Sequence, residues 1–405
     1  MEKEKWIIIG GGASGLTAAI TLRRRGHPVL LLERNDRIGK KLLASGNGRC
    51  NLTNRTVTPE CFHSTDPSFV SSALKGYGPE RIEAFFEALG LPLVEGRDGQ
   101  MFPMSLQAAT VVAYLHHAAT QAGVEIRTGT DVTRIVPETG SFEVHAGDDR
   151  YVAANVMLSA GSPAAPQLGG SPDGLELARR LGHTVHPPYP ALVQLESDAP
   201  WLKRTAGVKL EGIARLHVNG EKVEEKRGDL LFTPYGISGL AILDLSRTAS
   251  LALQEGAWCE LRLDLLPRLN KEQLTRLLQH RIDPASDKPL DLWLNGLLPK
   301  KLVPVVLEQA RCAAHTESAL GRKQINRLVH AIQNLTLPVT ATHGFKHAEA
   351  AGGGVDVREI DPITMASRIV PGLFFGGEIL DVVGDRGGYN LHWAWVTGMR
   401  VMGDG

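Results

Sequence analysis

Trp6-Ile7-Ile8-Ile9 is an uninterrupted apolar run that stops at glycines, the pattern of a parallel strand buried on both faces. After it, Leu16, Ala19, Ile20 and Leu22 recur at helical spacing until Gly26, a residue suited to ending a helix. Val29-Leu30-Leu31-Leu32 is a second apolar run, so the chain opens strand, helix, strand. Helical patterns follow at 79–89 and 106–122, then a strand at 124–127, alternating segments at 132–136 and 142–144, and a strand at 156–159 closing on Ala160-Gly161. Between 190 and 265 the pattern changes to strand-like segments at 192–195, 214–218, 230–232 and 259–263 with glycine-rich turns. From Lys271 to Leu335 it becomes helical, with Leu274, Leu277 and Leu278 on one face and Leu302, Val305 and Val306 on another. Past Pro338 strand-like sequence returns, with an apolar run at 372–378 and a helical pattern at 393–402. The predicted fold is α/β: a Rossmann-like domain made of 1–189 and 336–405, interrupted by a β-rich part at 190–266 and a helical part at 267–335.

The turn after the first strand, Gly10-Gly11-Gly12-Ala13-Ser14-Gly15, reads G-x-G-x-x-G. Gly10 permits the tight turn, Gly12 lets backbone approach a pyrophosphate, and Gly15 lets helix and strand pack closely, while the helix N-terminus faces the phosphates. Glu33 ends the second strand, where a carboxylate accepts hydrogen bonds from ribose hydroxyls. The combination predicts dinucleotide binding and leaves FAD and NAD as alternatives. Two further segments carry polar chemistry. The run 39–51 joins glycines to Lys40, Lys41 and Arg49, which suits a pyrophosphate or a flavin edge but equally a solvated basic turn. Gly384 to Leu391 precedes a helix whose first backbone N–H groups could face a polar ring.

Catalytic candidates are weaker. Tyr389 and His392 are possible acid–base groups, and Cys50 is a possible redox thiol without a CxxC partner. His343 and His347, four apart, and the adjacent His116-His117 lack Cys or acidic ligands at zinc spacing, so they read as surface or cap histidines, and no metal site is expected. Ser238, in Gly236-Ile237-Ser238-Gly239, misses the G-x-S-x-G elbow, which removes a serine hydrolase.

Charge narrows the partners. The 405 residues carry 44 Lys+Arg and 44 Asp+Glu, so no global attraction draws the chain to nucleic acid or an anionic membrane. No apolar run is long enough for a membrane span, and the apolar stretch near the N-terminus is too short for a signal peptide. Four scattered cysteines favour a reducing compartment, read here as the cytoplasm. The partners expected are a small-molecule substrate and no membrane or nucleic acid; oligomeric state stays open.

With these motifs in hand, the chain resembles the BaiN/YhiN-like family of NAD(P)/FAD-dependent oxidoreductases over nearly its whole length. The likeness rests on the 9–15 turn, the run 39–54 containing Ser45-Gly46-Asn47-Gly48-Arg49-Cys50-Asn51, Phe232 to Gly239, Gly376 to Asp381, and Gly387 to Leu391. It implies an FAD-binding, glutathione-reductase-like domain split by a β-barrel-like and helical insertion. Carried over by position, Gly10, Gly12, Ala13, Ser14 and Gly15 would hold the pyrophosphate, and Glu33 the adenosine ribose with Arg34 beside it. Lys41, Ser45, Gly46, Arg49, Cys50 and Asn51 would run along the flavin half. Val132 would lie near the adenine, Ala160 and Gly161 in backbone contact. Gly377, Glu378, Gly388, Tyr389, Asn390 and Leu391 would meet the ribityl chain and isoalloxazine. The family usually has Thr-Gly-Gly where Ser159-Ala160-Gly161 stands, and a His or similar residue in place of Pro234.

The resemblance implies tightly bound FAD and hydride transfer between the flavin and a small donor or NAD(P)H, with reoxidation by O₂ or another acceptor. Members assigned as amine oxidases and as reductases of steroid-like substrates leave the reaction open. No second G-x-G-x-x-G follows a strand, so NAD(P)H is expected only as a transient reductant. The alternative is a flavin-based redox sensor acting on a protein or RNA through a basic face of Arg23, Arg24, Arg25, Arg34, Arg37, Lys40 and Lys41.

Overall fold

In the computed structural model, which describes residues 5–403, the chain is cut into two units after Tyr189 and before Glu349. The first unit, 1–189 with 349–405, is built on one parallel sheet in the order Leu373–Phe375, Asn155–Leu158, Trp6–Ile9, Val29–Leu32, Glu125–Arg127. Trp6–Ile9 is central and buried at every position, which is why its sequence is apolar throughout instead of alternating. Strand order reverses beside it, because the chain goes first to Val29–Leu32 on one side and later to Asn155–Leu158 on the other. Ligands of such sheets bind at the carboxyl ends of the strands where the order reverses. Gly10 and Ser159 are the residues that leave those two neighbouring strands at that end.

Helix Ala13–Arg24 packs against Ala108–Gln121 and, most extensively, against the C-terminal helix Tyr389–Met399. A three-stranded meander, Arg134–Glu138, Ser141–Ala146 and Asp149–Ala153, precedes Asn155–Leu158. The segment after Gly39, read from sequence as a loop, is helical at its start and then breaks. Gly46, Asn47, Gly48 and Cys50 all have positive φ, so this stretch turns on itself.

The second unit, 190–348, has one seven-stranded antiparallel sheet in the order Leu335–Val339, Cys259–Asp264, Lys209–Val218, Glu221–Thr233, Gly236–Ser238, Leu195–Glu196, Ala341–Thr342. Its two edge strands are separated by Thr340 alone, so the sheet curls until its edges meet in sequence. The long hairpin turns at Asn219 and Gly220, both with positive φ, the geometry that matches strand twist.

Three expectations need correction. Residues 336–348 do not belong to the dinucleotide unit: Leu335, Leu337 and Val339 are buried beside Leu261 and Leu263 in the inserted sheet. The β-rich and helical parts are one unit, since Leu274, Val305 and Leu328 share that core. Finally, a 15-residue helix, Leu240–Gln254, lies inside the segment expected to be β-rich.

Candidate functional site

The first glycine turn is shaped by close contacts that only glycine permits. Gly10 has φ +109°, and a Cβ there would stand 2.4 Å from Ser159 O. At Gly15 a Cβ would stand 1.9 Å from Gly10 O, so this glycine is what lets the helix sit on the strand. Gly12 differs: no atom lies within 4 Å of its Cβ position, and no side chain caps the helix it begins. The N-terminus of Ala13–Arg24 is thus uncapped beside open space, an arrangement that attracts a phosphate.

That space belongs to a cleft of about 850 Å³, mouth included, within the first unit. Its walls bring together Gly10, Gly12, Glu33, Arg34, Lys41, Val132, Ala160, Gly161 and Glu378 from the expected set. Glu33 is held in place from its own chain: Oε2 accepts from the Gly11 N–H at 2.7 Å, and Oε1 from the Asn35 backbone and side-chain N–H groups at 2.7 and 2.6 Å. Arg34 reaches across to Asp173 Oδ2 at 2.7 Å and to Gly169 O at 3.0 Å, so it ties the rim. Asn35, Asp131 and Asp173 also line the cleft and were missed; they come from loops whose spacing carries no motif. The opening beside Gly12, the uncapped helix and the fixed carboxylate fit the adenosine diphosphate part of FAD.

The second glycine pair meets the first turn. A Cβ at Gly376 would stand 2.5 Å from Ser14 Oγ, and the Gly377 N–H donates to Thr397 Oγ1 at 2.8 Å. Ser14 Oγ pairs with the same threonine at 3.2 Å, so its hydroxyl serves the packing of the two helices. Lys41 Nζ meets Glu378 Oε2 at 2.7 Å, and Glu378 Oε1 accepts from the Ala351 N–H, which joins the 39–51 segment to the 377 turn. Asn51 and Gly388 are in contact, since a Cβ at Gly388 would stand 2.9 Å from Asn51 Oδ1. Asn390 pins the turn before the C-terminal helix through both the N–H and the C=O of Gly384. The Trp395 indole N–H donates to Leu52 O at 2.8 Å. Thus 41, 51, 377–378, 388 and 390 converge. Ala13 and Leu391 are partly buried, packed against the first unit's core. Ser45 gives its hydroxyl to Leu42 O, Gly46 packs on the Asn51 backbone, and Arg49 lies over the Phe102 ring.

The catalytic candidates change role. His392 is fully buried, with Nδ1 2.7 Å from Thr53 Oγ1 and Nε2 3.0 Å from Tyr77 O. Burial pushes its pKa down to about 4, which favours the neutral imidazole, and its two ring nitrogens join two elements. Cys50 is buried at positive φ, and burial pushes its thiol up to about 11, which disfavours the thiolate. Its N–H is taken by Ser45 O. Tyr389 shares a hydrogen bond with Thr56 Oγ1 at 3.0 Å, and burial raises its pKa, so it keeps its proton.

The expected basic face is largely paired. Arg23 donates to Ala122 O and His27 O, and Arg25 to Val401 O. Arg34 pairs with Asp173, Lys40 with Asp36 and Lys41 with Glu378. Among the described residues no group of three His, Cys, Asp or Glu side chains is placed to hold a metal, and no helix is long and apolar enough to cross a membrane.

Known proteins place this geometry. The chain is 38% identical over 394 residues to the 3-dehydro-bile acid delta(4,6)-reductase of Clostridium scindens, covering 96% of each chain. It is 32% identical over 401 residues to the ribosomal RNA dihydrouridine synthase of Haemophilus influenzae, covering 96% of this chain and 95% of that one. The fold matches the crystal structure of a 3-ketosteroid delta1-dehydrogenase from Sterolibacterium denitrificans with a TM-score of 0.52 at 12% identity, over 99% of both chains. The family model of the HI0933-like protein Rossmann domain matches residues 4–403. The chain belongs to that family, and it is an FAD-dependent oxidoreductase.

Proposed function

We propose that the protein is an FAD-dependent reductase of carbon–carbon double bonds conjugated to a carbonyl in a small organic molecule. The observation that carries this is the 38% identity over 96% of both chains to a protein whose name specifies a 3-dehydro compound, a ketone, and delta(4,6) double bonds. Dihydrouridine synthesis, named for the second relative, is the same chemistry on a uracil ring. A small molecule is favoured over RNA because the net charge is zero and Arg23, Arg25, Arg34, Lys40 and Lys41 have partners within the chain. The free cysteines suit a reducing compartment, in keeping with a cytoplasmic enzyme.

FAD supplies hydride transfer when bound. The uncapped start of Ala13–Arg24, with Gly10 and Gly12, would receive the pyrophosphate, Glu33 the adenosine ribose, and Val132 the adenine side of the cleft. Lys41, Glu378, Asn51, Gly388 and Asn390 would frame the flavin half, with NAD(P)H as the transient reductant. Tyr389, Asn51 and Asn390 already have partners inside the protein, so their part is to hold the frame.

The test is anaerobic. The purified protein is reduced with NADH, NADPH or dithionite, then mixed with a 4-en-3-one steroid, a 4,6-dien-3-one steroid, a simple cyclic enone, a small amine and uridine-containing RNA. Return of oxidised-flavin absorbance with an enone, together with the saturated ketone as product, is expected. Reoxidation by RNA alone, or reduction of the oxidised protein by amines alone, would replace this reading.

A further inference from the structure

A second cavity lies wholly within residues 190–348 and is lined by none of the residues assigned to the cofactor. It measures about 890 Å³, mouth included. The sheet face carrying Ile213, Arg215 and Asp264 bounds it, together with the turn at 267–269, the start of helix Lys271–His280 and the end of helix Arg322–Gln333. The antiparallel ladder explains which side chains meet there. Ile213 pairs with Asp264, so the two share a face, and Arg215, two residues along the same strand, joins them.

Asp264 ends its strand with a side chain only 8% exposed. Its Oδ1 accepts the Leu266 N–H at 3.0 Å, but Oδ2 has no hydrogen-bond donor among the described residues; its ion-pair partner, Arg215 Nη2, stands 3.8 Å away. Arg215 is held from its other side, with Nε on Glu225 Oε2 at 2.8 Å and Nη1 on Gln333 O at 3.2 Å, and Gln333 is itself fixed by its side-chain N–H on Leu269 O at 2.7 Å. An acceptor and a donor thus stand side by side on the cavity wall, too far apart to satisfy each other. A buried carboxylate oxygen without a donor costs free energy until something supplies one. Burial, as the main cause, holds the Asp264 carboxyl above the usual carboxylate pKa range, and a cation placed on Oδ2 would offset it.

Charge decides the class of ligand. Of the cations lining the cavity, Arg215 is neutralised by Glu225 and Arg268 by Glu211, whose Oε2 lies 3.1 Å from Arg268 Nη2. What remains is one buried anion, Asp264, and one exposed cation, Lys271, which has no ion-pair partner among the described residues. A ligand positive at one end and negative at the other complements this pair better than a simple anion does. The helix start is not itself an anion seat, because Asn270 and Gln273 cap it reciprocally at 2.9 Å each. We propose that this cavity binds a free aliphatic α-amino acid, its ammonium donating to Asp264 Oδ2 and its carboxylate accepting from Arg215 Nη2 and Lys271 Nζ. The two charged groups of an α-amino acid are adjacent, as are Oδ2 and Nη2, so one small molecule satisfies both. Ile213, Pro267 and Leu269 give its side chain an apolar wall.

The experiment titrates L-leucine into the full-length, FAD-loaded protein by isothermal titration calorimetry, with propylamine, propionate and inorganic phosphate as separate probes. Leucine is expected to bind at one site per chain, and the amine and the acid at least about tenfold more weakly, since each keeps only one end of the charge-assisted contact. Asp264→Asn is expected to weaken leucine by about tenfold or more, and Lys271→Gln severalfold, while FAD content and the melting temperature without leucine stay at wild-type values. Lys271 is exposed, so its variant decides the matter should Asp264→Asn not fold. Four results each overturn the proposal: no leucine binding at millimolar concentration, phosphate binding in place of leucine, propylamine or propionate binding as tightly as leucine, and unchanged leucine affinity in a variant that keeps its FAD and its melting temperature.

Discussion

A side chain at Gly12 would project into open space, whereas one at Gly15 would strike the Gly10 carbonyl. The two glycines look alike in a motif and act differently in the molecule. Gly12→Val is therefore expected to leave the melting temperature of the apoprotein nearly unchanged while weakening FAD by about 100-fold or more, read as loss of the yellow chromophore on purification. A variant that stays fully coloured would remove the phosphate site from this turn. The spacing made these glycines legible because their partners lie next to them or on the adjacent strand. His392 was not legible, since Thr53 and Tyr77, which define its role, are 339 and 315 residues away in sequence. Its pKa, depressed to about 4 from 6.5, has a stability consequence. Below about 6.5 the unfolded chain takes up a proton that the folded His392 refuses, so its contribution is complete above that pH and is lost as pH falls toward 4. The loss approaches about 3 kcal/mol at the acid end. Urea unfolding of wild type against His392→Gln should show a steeper loss of stability between pH 6.5 and 4 in the wild type than in the variant.

At the scale of elements, Ala13–Arg24 crosses Tyr389–Met399 at close range. A Cβ at Gly398 would stand 2.6 Å from Ser14 O and 2.8 Å from Thr17 Cβ, so the two backbones meet where one residue has no side chain. The preceding residue, Thr397, receives the Gly377 N–H and pairs with Ser14, which couples the crossing to both glycine turns. Gly398→Leu should then destabilise the fold by about 1–3 kcal/mol and, because it drives Thr397 from Gly377, also weaken FAD retention. Thermal melting with flavin release as a second probe checks both, and a variant losing stability alone would show the crossing to be structural only. The C-terminal helix was visible in the sequence from 393 on, but its first turn, from Tyr389, hid behind Gly387 and Gly388, both at positive φ. Helix Leu240–Gln254 was invisible for another reason. Leu240-Ala241-Ile242-Leu243 is an unbroken apolar run that periodicity cannot assign to strand or helix, and the segments before and after it are strands.

At the scale of the whole molecule, the Rossmann-like pattern was legible because its inner strands, Trp6–Ile9 and Val29–Leu32, are local apolar runs. The return from the insertion was not, because Leu335–Val339 alternates like any half-buried strand and nothing local says which sheet it joins. Only pairing with Cys259–Asp264 decides it. The consequence is a cut at 348/349, and it can be tested by removing what lies between the cuts. Tyr189 and Gly352 lie so close that a Cβ on the glycine would stand 2.1 Å from the tyrosine ring, and Val185–Ala191 pairs with Ala350–Val355. The points where the chain leaves and re-enters the first unit are therefore side by side, and a short glycine linker can close the gap at small entropic cost. The first unit also keeps a hydrophobic core that takes nothing from 190–348. Residues 1–189 joined in this way to 349–405 are expected to fold cooperatively and to bind FAD, because every candidate cofactor contact lies within them. Near-ultraviolet circular dichroism and flavin absorbance read the two properties separately. A folded but colourless product would show that FAD binding needs residues of the inserted unit.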